Sequence, residues 1–320
     1  MNLNLLIDNL TNPALLFFVL GIIAVYVKSD LEIPSGSSKF ISLYLLFSIG
    51  FKGGQELAHS HFTMEMIWSI IFGVFVASVI PLYTFFILKR KVSIDNAGAI
   101  AAAYGSVSAV TFVTAVSFLE IQNQSFSGYM VAVMALMEAP AIIIGVMLIR
   151  MYGEKQNSSV KMTNIMKHSF TNGSVLLIVG SLIIGLLASD QQAQGIKPFT
   201  TDIFKGFLAI FLLDMGIVSG RKLTDFFKSG WFTAIFAVLI PLFNGCAVAL
   251  LSGLITSDNG NRFIFSVLAA SASYIAVPAA MKIAVPKANP GIFLPMALAV
   301  TFPFNITFGM PIYLSIITAT

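Results

Sequence analysis

Charge is what this chain has least of: 10% of its 320 residues are Asp, Glu, Lys or Arg, against about 25% in soluble domains. So few charges cannot clothe a water-facing surface, which excludes an ordinary soluble domain of this length. Cysteine occurs once, as Cys246 inside an apolar run, so neither a disulfide framework nor a cysteine metal site is available. Of the 3 histidines, His59 and His61 share a short polar loop with no cysteine and no third histidine nearby, which gives a metal centre no support. A phosphate-cradling glycine loop, an HExxH pair and a nucleophile elbow are all missing, so no enzymatic hydrolysis is expected. The formal charge of +4 comes from Lys and Arg at the ends of apolar runs, a matter of topology that leaves no nucleic-acid footprint. The leading segment MNLNLLIDNLTNP has no basic region and no small-residue cleavage site. A removable signal peptide is therefore not expected, and the first apolar run reads as a retained helix.

What the chain does have is apolar length. Hydrophobic residues make up 57% of it and its mean hydropathy is +0.91, which makes a lipid bilayer its natural solvent. Apolar runs broken by charge, Gly and Pro predict an all-α polytopic protein with about ten spans. They lie near 13–28, 38–55, 66–88, 96–118, 126–152, 172–189, 200–219, 230–254, 261–284 and 290–318. With the N-terminus outside, the inward segments hold Lys28, Lys39, Lys89, Arg90, Lys91, Arg150, Lys155, Lys161, Lys167, Arg221, Lys222, Lys228, Lys282 and Lys287. The outward segments hold Lys52, Lys197, Lys205 and Arg262. That bias places both termini outside the cytoplasm of a plasma membrane and makes 153–171 a cytoplasmic linker.

The linker joins two halves, 1–152 and 172–320, whose features recur in order. Asn12 and Asp30 answer to Asn172 and Asp190, FSIGFKGG (47–54) to LLDMGIVSG (212–220), Pro81-Leu82 to Pro241-Leu242, and YGSVSAVT (104–111) to AASASYIAV (269–277). Five spans per half is an odd number, so the halves run through the membrane in opposite senses. Inverted repeats of this kind are a mark of secondary transporters, because they give one chain two related conformations open to either side. Chance likeness between apolar helices is the alternative.

Two mid-span clusters carry small and hydroxyl residues: Gly105, Ser106, Ser108 and Thr111 in the fourth span, and Ser271, Ser273, Ala276 and Pro278 in the ninth. Glycine, serine and a proline that lacks an N–H favour local unwinding at membrane depth. Interrupted helices that cross there would offer half-helix N-termini to an anion, with freed carbonyls and hydroxyls for sodium. Plain small-residue helix packing would use the same composition. Glu138, just before Pro140, and Asp214, just before Gly216, are acids at membrane depth that could join carbonyl oxygens around a cation. Asp214 also reads as an interfacial residue near its span end. Asn305 is uncharged but equally deep. Gly50 with Gly54 and Gly216 with Gly220 form two GxxxG patterns suited to tight packing.

Four stretches resemble the sodium-dependent bicarbonate transporters first described in cyanobacteria: IPSGSSKFISLYLLFSIGFKGGQEL (33–57), GSVSAVTFVTAVSFLE (105–120), MEAPAIIIGVMLIRMY (137–152) and SASYIAVPAAMKIAVPKANPGIFLPMALAVTFPFNI (271–306). The resemblance implies sodium-coupled uptake of bicarbonate or a similar small anion across a bacterial inner membrane, by trimers of ten-helix protomers with core and gate domains. It implies an anion site at Gly105, Ser106, Val107, Ser108, Ala109 and Thr111 with Ser271, Ala272 and Ser273. Sodium would lie nearby, at Glu138, Ser271, Ser273, Tyr274, Ala276 and Asn305, with no other cofactor. Tyr274 stands where the cyanobacterial pattern has Asp, and Glu138-Ala139-Pro140 replaces its Asp-Ile-Pro. The central linker is shorter than the one that binds a PII-like regulatory protein in cyanobacterial members, so that partner is not carried over. A cation/proton antiporter, a sodium/organic anion symporter and a membrane receptor without flux stay open as alternatives.

Overall fold

The computed structural model describes residues 7, 9–60, 62–153, 162–227 and 230–320. His61, Lys155, Lys161, Lys228, most of the leading segment and the 154–161 part of the linker lie outside the described residues. All regular structure among the described residues is helical. A chain this apolar has no water to satisfy its backbone, and the helix does so within each segment.

Polar caps set the helix starts. Helix α1 (Pro13–Tyr26) begins at Asn12, whose side chain accepts from the Ala14 N–H, with Pro13 at the first helical position. Next come α2 (Ser35–Ala58), after Pro34, and α3 (Met64–Leu88), capped by Thr63. Ser93 caps α4 (Ile94–Gly105), Ser108 caps α5 (Ala109–Ile121), and α6 (Tyr129–Tyr152) closes the first half. After the short α7 (Met162–Phe170), α8 (Gly173–Leu187) starts at Asn172, which accepts from the Ser174 N–H just as Asn12 does in α1. Helix α9 (Asp190–Lys197) runs through a π turn at Pro198–Asp202 into α10 (Phe204–Phe227). Asp258 caps α12 (Asn259–Ala270), which follows α11 (Trp231–Leu251) and precedes α13 (Ala276–Ala284). Last is α14, the helical run Pro290–Ile317, with π turns at Met296–Thr301 and Asn305–Gly309.

Six segments are long and apolar enough to cross a membrane by length and composition: Met64–Leu88, Ile94–Ile121, Tyr129–Tyr152, Asp190–Leu223, Trp231–Leu254 and Pro290–Ile317. The expected count of ten is not reached on these criteria, for three physical reasons. Helices α1 and α8 have 14 and 15 residues, a rise of only ~20 Å against a hydrocarbon layer of ~30 Å. Helix α2 is 24 residues long, but Ser35, Ser38, Lys39, Lys52 and Gln55 dilute its hydropathy. The run at 261–284 is not one helix, because α12 ends at Ala270 and α13 starts at Ala276. Part of the expected linker is also helical, as α7. Its Ile165 is buried, and the helix packs on α6 and α13.

Two pairs of helices make the closest contacts, α2 along α8 and α1 along α10. Glycine permits both. A Cβ on Gly50 would lie 2.7 Å from the Ile178 carbonyl oxygen, and Cβ atoms on Gly54, Gly21 and Gly216 would overlap the backbone of the facing helix. Both GxxxG patterns thus serve packing, with Gly220 resting more loosely on Val25. Around these pairs, α3, α4 and α6 pack together, as do α11, α12 and α14.

Filling these contacts should be costly. Gly54→Val and Gly216→Val should each destabilise the fold by about 1–3 kcal/mol, the usual range for overpacking. Gly173→Ala, which meets nothing within 4 Å, should leave the melting temperature in detergent unchanged. Equal melting temperatures for all three variants would refute the packing role.

Candidate substrate site at a helix crossing

The fourth apolar run does not pass straight through the protein. Helix α4 ends at Gly105, the backbone is extended at Ser106 (φ −82°, ψ 172°), and α5 restarts at Ala109. In the ninth run α12 ends at Ala270, Ser271 is extended (φ −80°, ψ 168°), and α13 restarts at Ala276. The two breaks bond to each other. The Ser273 N–H donates to the Ala103 carbonyl at 2.8 Å, and the Ser108 N–H donates to Ser271 Oγ at 2.9 Å. Ser271 Oγ in turn donates to the Leu268 carbonyl at 2.8 Å.

Each serine serves its own helix as well. Ser108 Oγ accepts from the Thr111 N–H at 3.2 Å, and Ser273 Oγ accepts from the Val277 N–H at 3.5 Å. Two helix N-termini, those of α5 and α13, therefore open at the crossing, and first-turn N–H groups carry partial positive charge. Ser106 Oγ is buried there without a hydrogen-bond partner among the described residues, a group left for a ligand to satisfy.

A third element braces the crossing. Asn305 Nδ2 donates to the Ala270 carbonyl at 2.7 Å, while its Oδ1 accepts from Tyr313 Oη at 3.0 Å. Tyr104, beside the first break, shares a 2.8 Å hydrogen bond with Thr301, whose hydroxyl donates to the Ala237 carbonyl. The π turns of α14 hold Thr301 and Asn305 themselves, so irregular helix geometry aims both side chains at the breaks.

A cavity of about 330 Å³ reaches the crossing from one side. Ala109 and Val110 of α5, Tyr274 and Ile275 after the second break, and Met215 of α10 meet there. Helix α2 contributes Ser35, Ser38, Lys39 and Ser42, whose three- and four-residue spacing lays them along one helical face. Lys39, itself exposed, is the only charged residue among the described lining residues. Ser38 donates from its hydroxyl to Asp214, which is buried on α10 beside Met215.

Of the residues singled out in the sequence, Gly105, Ser106, Val107, Ser108, Ala109, Thr111, Ser271, Ala272, Ser273, Tyr274 and Ala276 lie at or beside the two breaks. Asn305 reaches the second break through its amide. Glu138 stands apart. It is half-buried on α6, one turn from the Ala141 that faces Gly105, and forms no hydrogen bond or ion pair among the described residues. The sequence reading missed the serine stripe of α2, visible there only as Ser35, Ser38 and Ser42 at helical spacing. It also missed Tyr104 and Thr301, which no local pattern marks.

A family model of the Na+-dependent bicarbonate transporter superfamily matches residues 13–318. The chain belongs to that superfamily. No curated protein matches it. Membership in the superfamily, together with several apolar helices, makes this a multi-pass membrane protein of a transporter family and not an enzyme.

Loss of the brace should weaken the crossing. Asn305→Ala removes two buried hydrogen bonds and strands the Ala270 carbonyl, which should cost about 2–3 kcal/mol. A thermal melt in detergent should show the drop. An unchanged melting temperature would mean the brace contributes nothing.

Proposed function

We propose that this chain imports a small anion, bicarbonate foremost, together with sodium, by alternating access about the crossing of α4–α5 with α12–α13. The observation that carries the reading is the mutual hydrogen bonding of two interrupted helices, with two helix N-termini and a Lys39-lined cavity at one place. Two positive helix ends suit an anion, while serine hydroxyls, the Asn305 amide and backbone carbonyls give sodium the hard oxygen ligands it takes. In this reading the anion contacts Ser106, Ser108, Ala109 and Thr111 from one break and Ser271 and Ser273 from the other. Sodium is held around Ser271, Ser273 and Asn305. Tyr274 takes a wall position in place of a carboxylate ligand, and Glu138 is left out because it sits one helical turn beyond the Ala141 that meets Gly105.

The architecture proposed with it is ten membrane segments in two inverted halves. Several matched features support that symmetry: Asn12 and Asn172 cap α1 and α8 in the same way, Ser93 and Asp258 cap α4 and α12, and the breaks follow at equivalent places. The packing of α1 on α10 mirrors that of α2 on α8. We take α1, α2, α8 and α10 as a gate and the helices around the crossing as a core, with both termini outside the cytoplasm of a bacterial inner membrane and three copies assembled as a trimer. With that orientation the Lys39 cavity opens toward the cytoplasm. An inside-negative potential adds about 2.3 kcal/mol per 100 mV for each net positive charge carried inward.

The test is uptake of labelled bicarbonate into liposomes containing the purified protein, with and without an inward sodium gradient. Sodium-driven accumulation is expected, and Ser108→Leu and Ser273→Leu should each abolish it while the protein still assembles. Glu138→Gln should keep the sodium dependence of the native chain. Uptake indifferent to sodium, or native uptake in both leucine variants, would sink the proposal.

A further inference from the structure

Far from the crossing along the same helices, one carboxylate is gripped by two lysines. Glu120, at the C-terminal end of α5, accepts from Lys52 Nζ of α2 through Oε1 at 3.1 Å, and Lys205 Nζ of α10 lies 3.5 Å from Oε2. Each oxygen of the planar group thus faces its own ammonium. The site lies about 21 Å along α2 from Ser38 and about 16 Å along α5 from Ala109, at 1.5 Å per residue. It is therefore on the opposite side of the crossing from the Lys39 cavity.

The surroundings are built to hold a ligand. A cavity of about 150 Å³ borders Lys52, Glu56, Glu120 and Gln124, and the Gln124 Oε1 atom is buried without a hydrogen-bond partner among the described residues. The terminal amide of Gln124 can present either an acceptor or two donors by turning over. A wider recess of about 410 Å³ shares Lys52 and Glu56 with it and reaches Lys197. The anionic Asp190 at that rim is paired with His59 at 3.0 Å.

The three partners ride on different bodies. Glu120 belongs to the crossing helix α5, whereas Lys52 and Lys205 belong to α2 and α10, which pack most closely on α8 and α1. Any motion of one group against the other pulls the carboxylate out and leaves two ammonium groups facing each other across a gap. Glu56 stays beside Lys52 but leaves Lys205 without its carboxylate, so the pair attracts an anion of the shape Glu120 presents: a planar, singly charged oxyanion with two oxygens in one plane. Bicarbonate has that shape and charge.

We propose that Lys52 and Lys205 form an outer capture site for a planar oxyanion of the carboxylate and bicarbonate class, and that Glu120 occupies this site as a tethered competitor. The proposal rests on the transport reading above and adds to it. In the conformation described here, Glu120 bridges both lysines, with Glu56 lining the same cavity beside Lys52, and latches the outer side shut. When the core shifts, substrate anion replaces Glu120 on the lysines, so the latch opens only when the anion compensates the lysine charge.

Titration of detergent-solubilised protein with 13C-bicarbonate, read by calorimetry and NMR, counts sites without requiring flux. Glu120→Gln should bind one more equivalent of bicarbonate than the native chain, and that equivalent should vanish in the triple variant E120Q/K52Q/K205Q. An unchanged count in Glu120→Gln, or an added site that survives loss of both lysines, overturns the proposal. A native chain with neither uptake nor binding would refute the transport reading, while the lysine-dependent equivalent of Glu120→Gln would still stand or fall by itself. Should Glu120→Gln not yield monodisperse protein, Lys52→Gln carries the test through external bicarbonate dependence. Its half-saturating concentration should rise about fivefold, the loss expected for one partly exposed ion pair. An unchanged half-saturation overturns the proposal.

Discussion

The whole arrangement depends on one constraint: backbone that leaves the helix at membrane depth must find its hydrogen bonds elsewhere. Here each break satisfies the other, through Ser273 N–H on the Ala103 carbonyl and Ser108 N–H on Ser271 Oγ. Neither run could afford its interruption alone. The pairing makes the two breaks a single unit, and the positive ends of α5 and α13 come together as a by-product.

Much of the surrounding sequence follows from keeping that unit in place. Gly105 has no Cβ because Pro81 and Ala141 crowd it. Asn305 and Thr301 sit in π turns of α14, where the extra residue in the turn swings each side chain toward the crossing. Outside this knot, α1, α2, α8 and α10 form glycine-fitted pairs that contact it less closely. That difference in intimacy is what a moving part needs. Under the proposed alternating access the knot stays rigid while the paired helices shift against it, breaking contacts such as Lys52 and Lys205 on Glu120 and Ser219 on the Leu298 carbonyl.

The sequence carried the all-helical class clearly and marked where the two breaks fall, because Gly, Ser and Pro in mid-span contradict the apolar pattern on both sides, though plain helix packing uses the same residues. Helix starts at Asn12 and Asn172 were legible as repeated features before their capping role was known. Helix lengths were not. Apolar runs show where lipid or core can lie, but α1 and α8 are shorter than a full-length span, and the polar α2 falls below the hydropathy of one. The helix within the linker went unseen although Met162, Ile165, Met166 and Phe170 stand at helical spacing, because so short a stretch among polar residues reads as loop. Glu138 drew notice as an acid at depth, yet its neighbours depend on which face of α6 it occupies, and sequence spacing alone does not fix that. The link between Asn305 and Ala270 spans 35 residues, a distance at which local pattern says nothing. Tyr274 stands where a carboxylate would be expected from the resemblance, and in the fold it lines the cavity beside Met215.

The central claim is that the crossing is reached from one side at a time and that the side changes with ligand. Its most direct measurement places a single cysteine at Ser42, which lines the cavity, in a Cys246→Ser background. A membrane-impermeant maleimide is then applied from either face of oriented vesicles. Without ligands, Ser42→Cys should react from the cytoplasmic face only, and sodium with bicarbonate together should slow that reaction and open reaction from the outer face. Equal reaction from both faces, or rates untouched by sodium and bicarbonate, would contradict it.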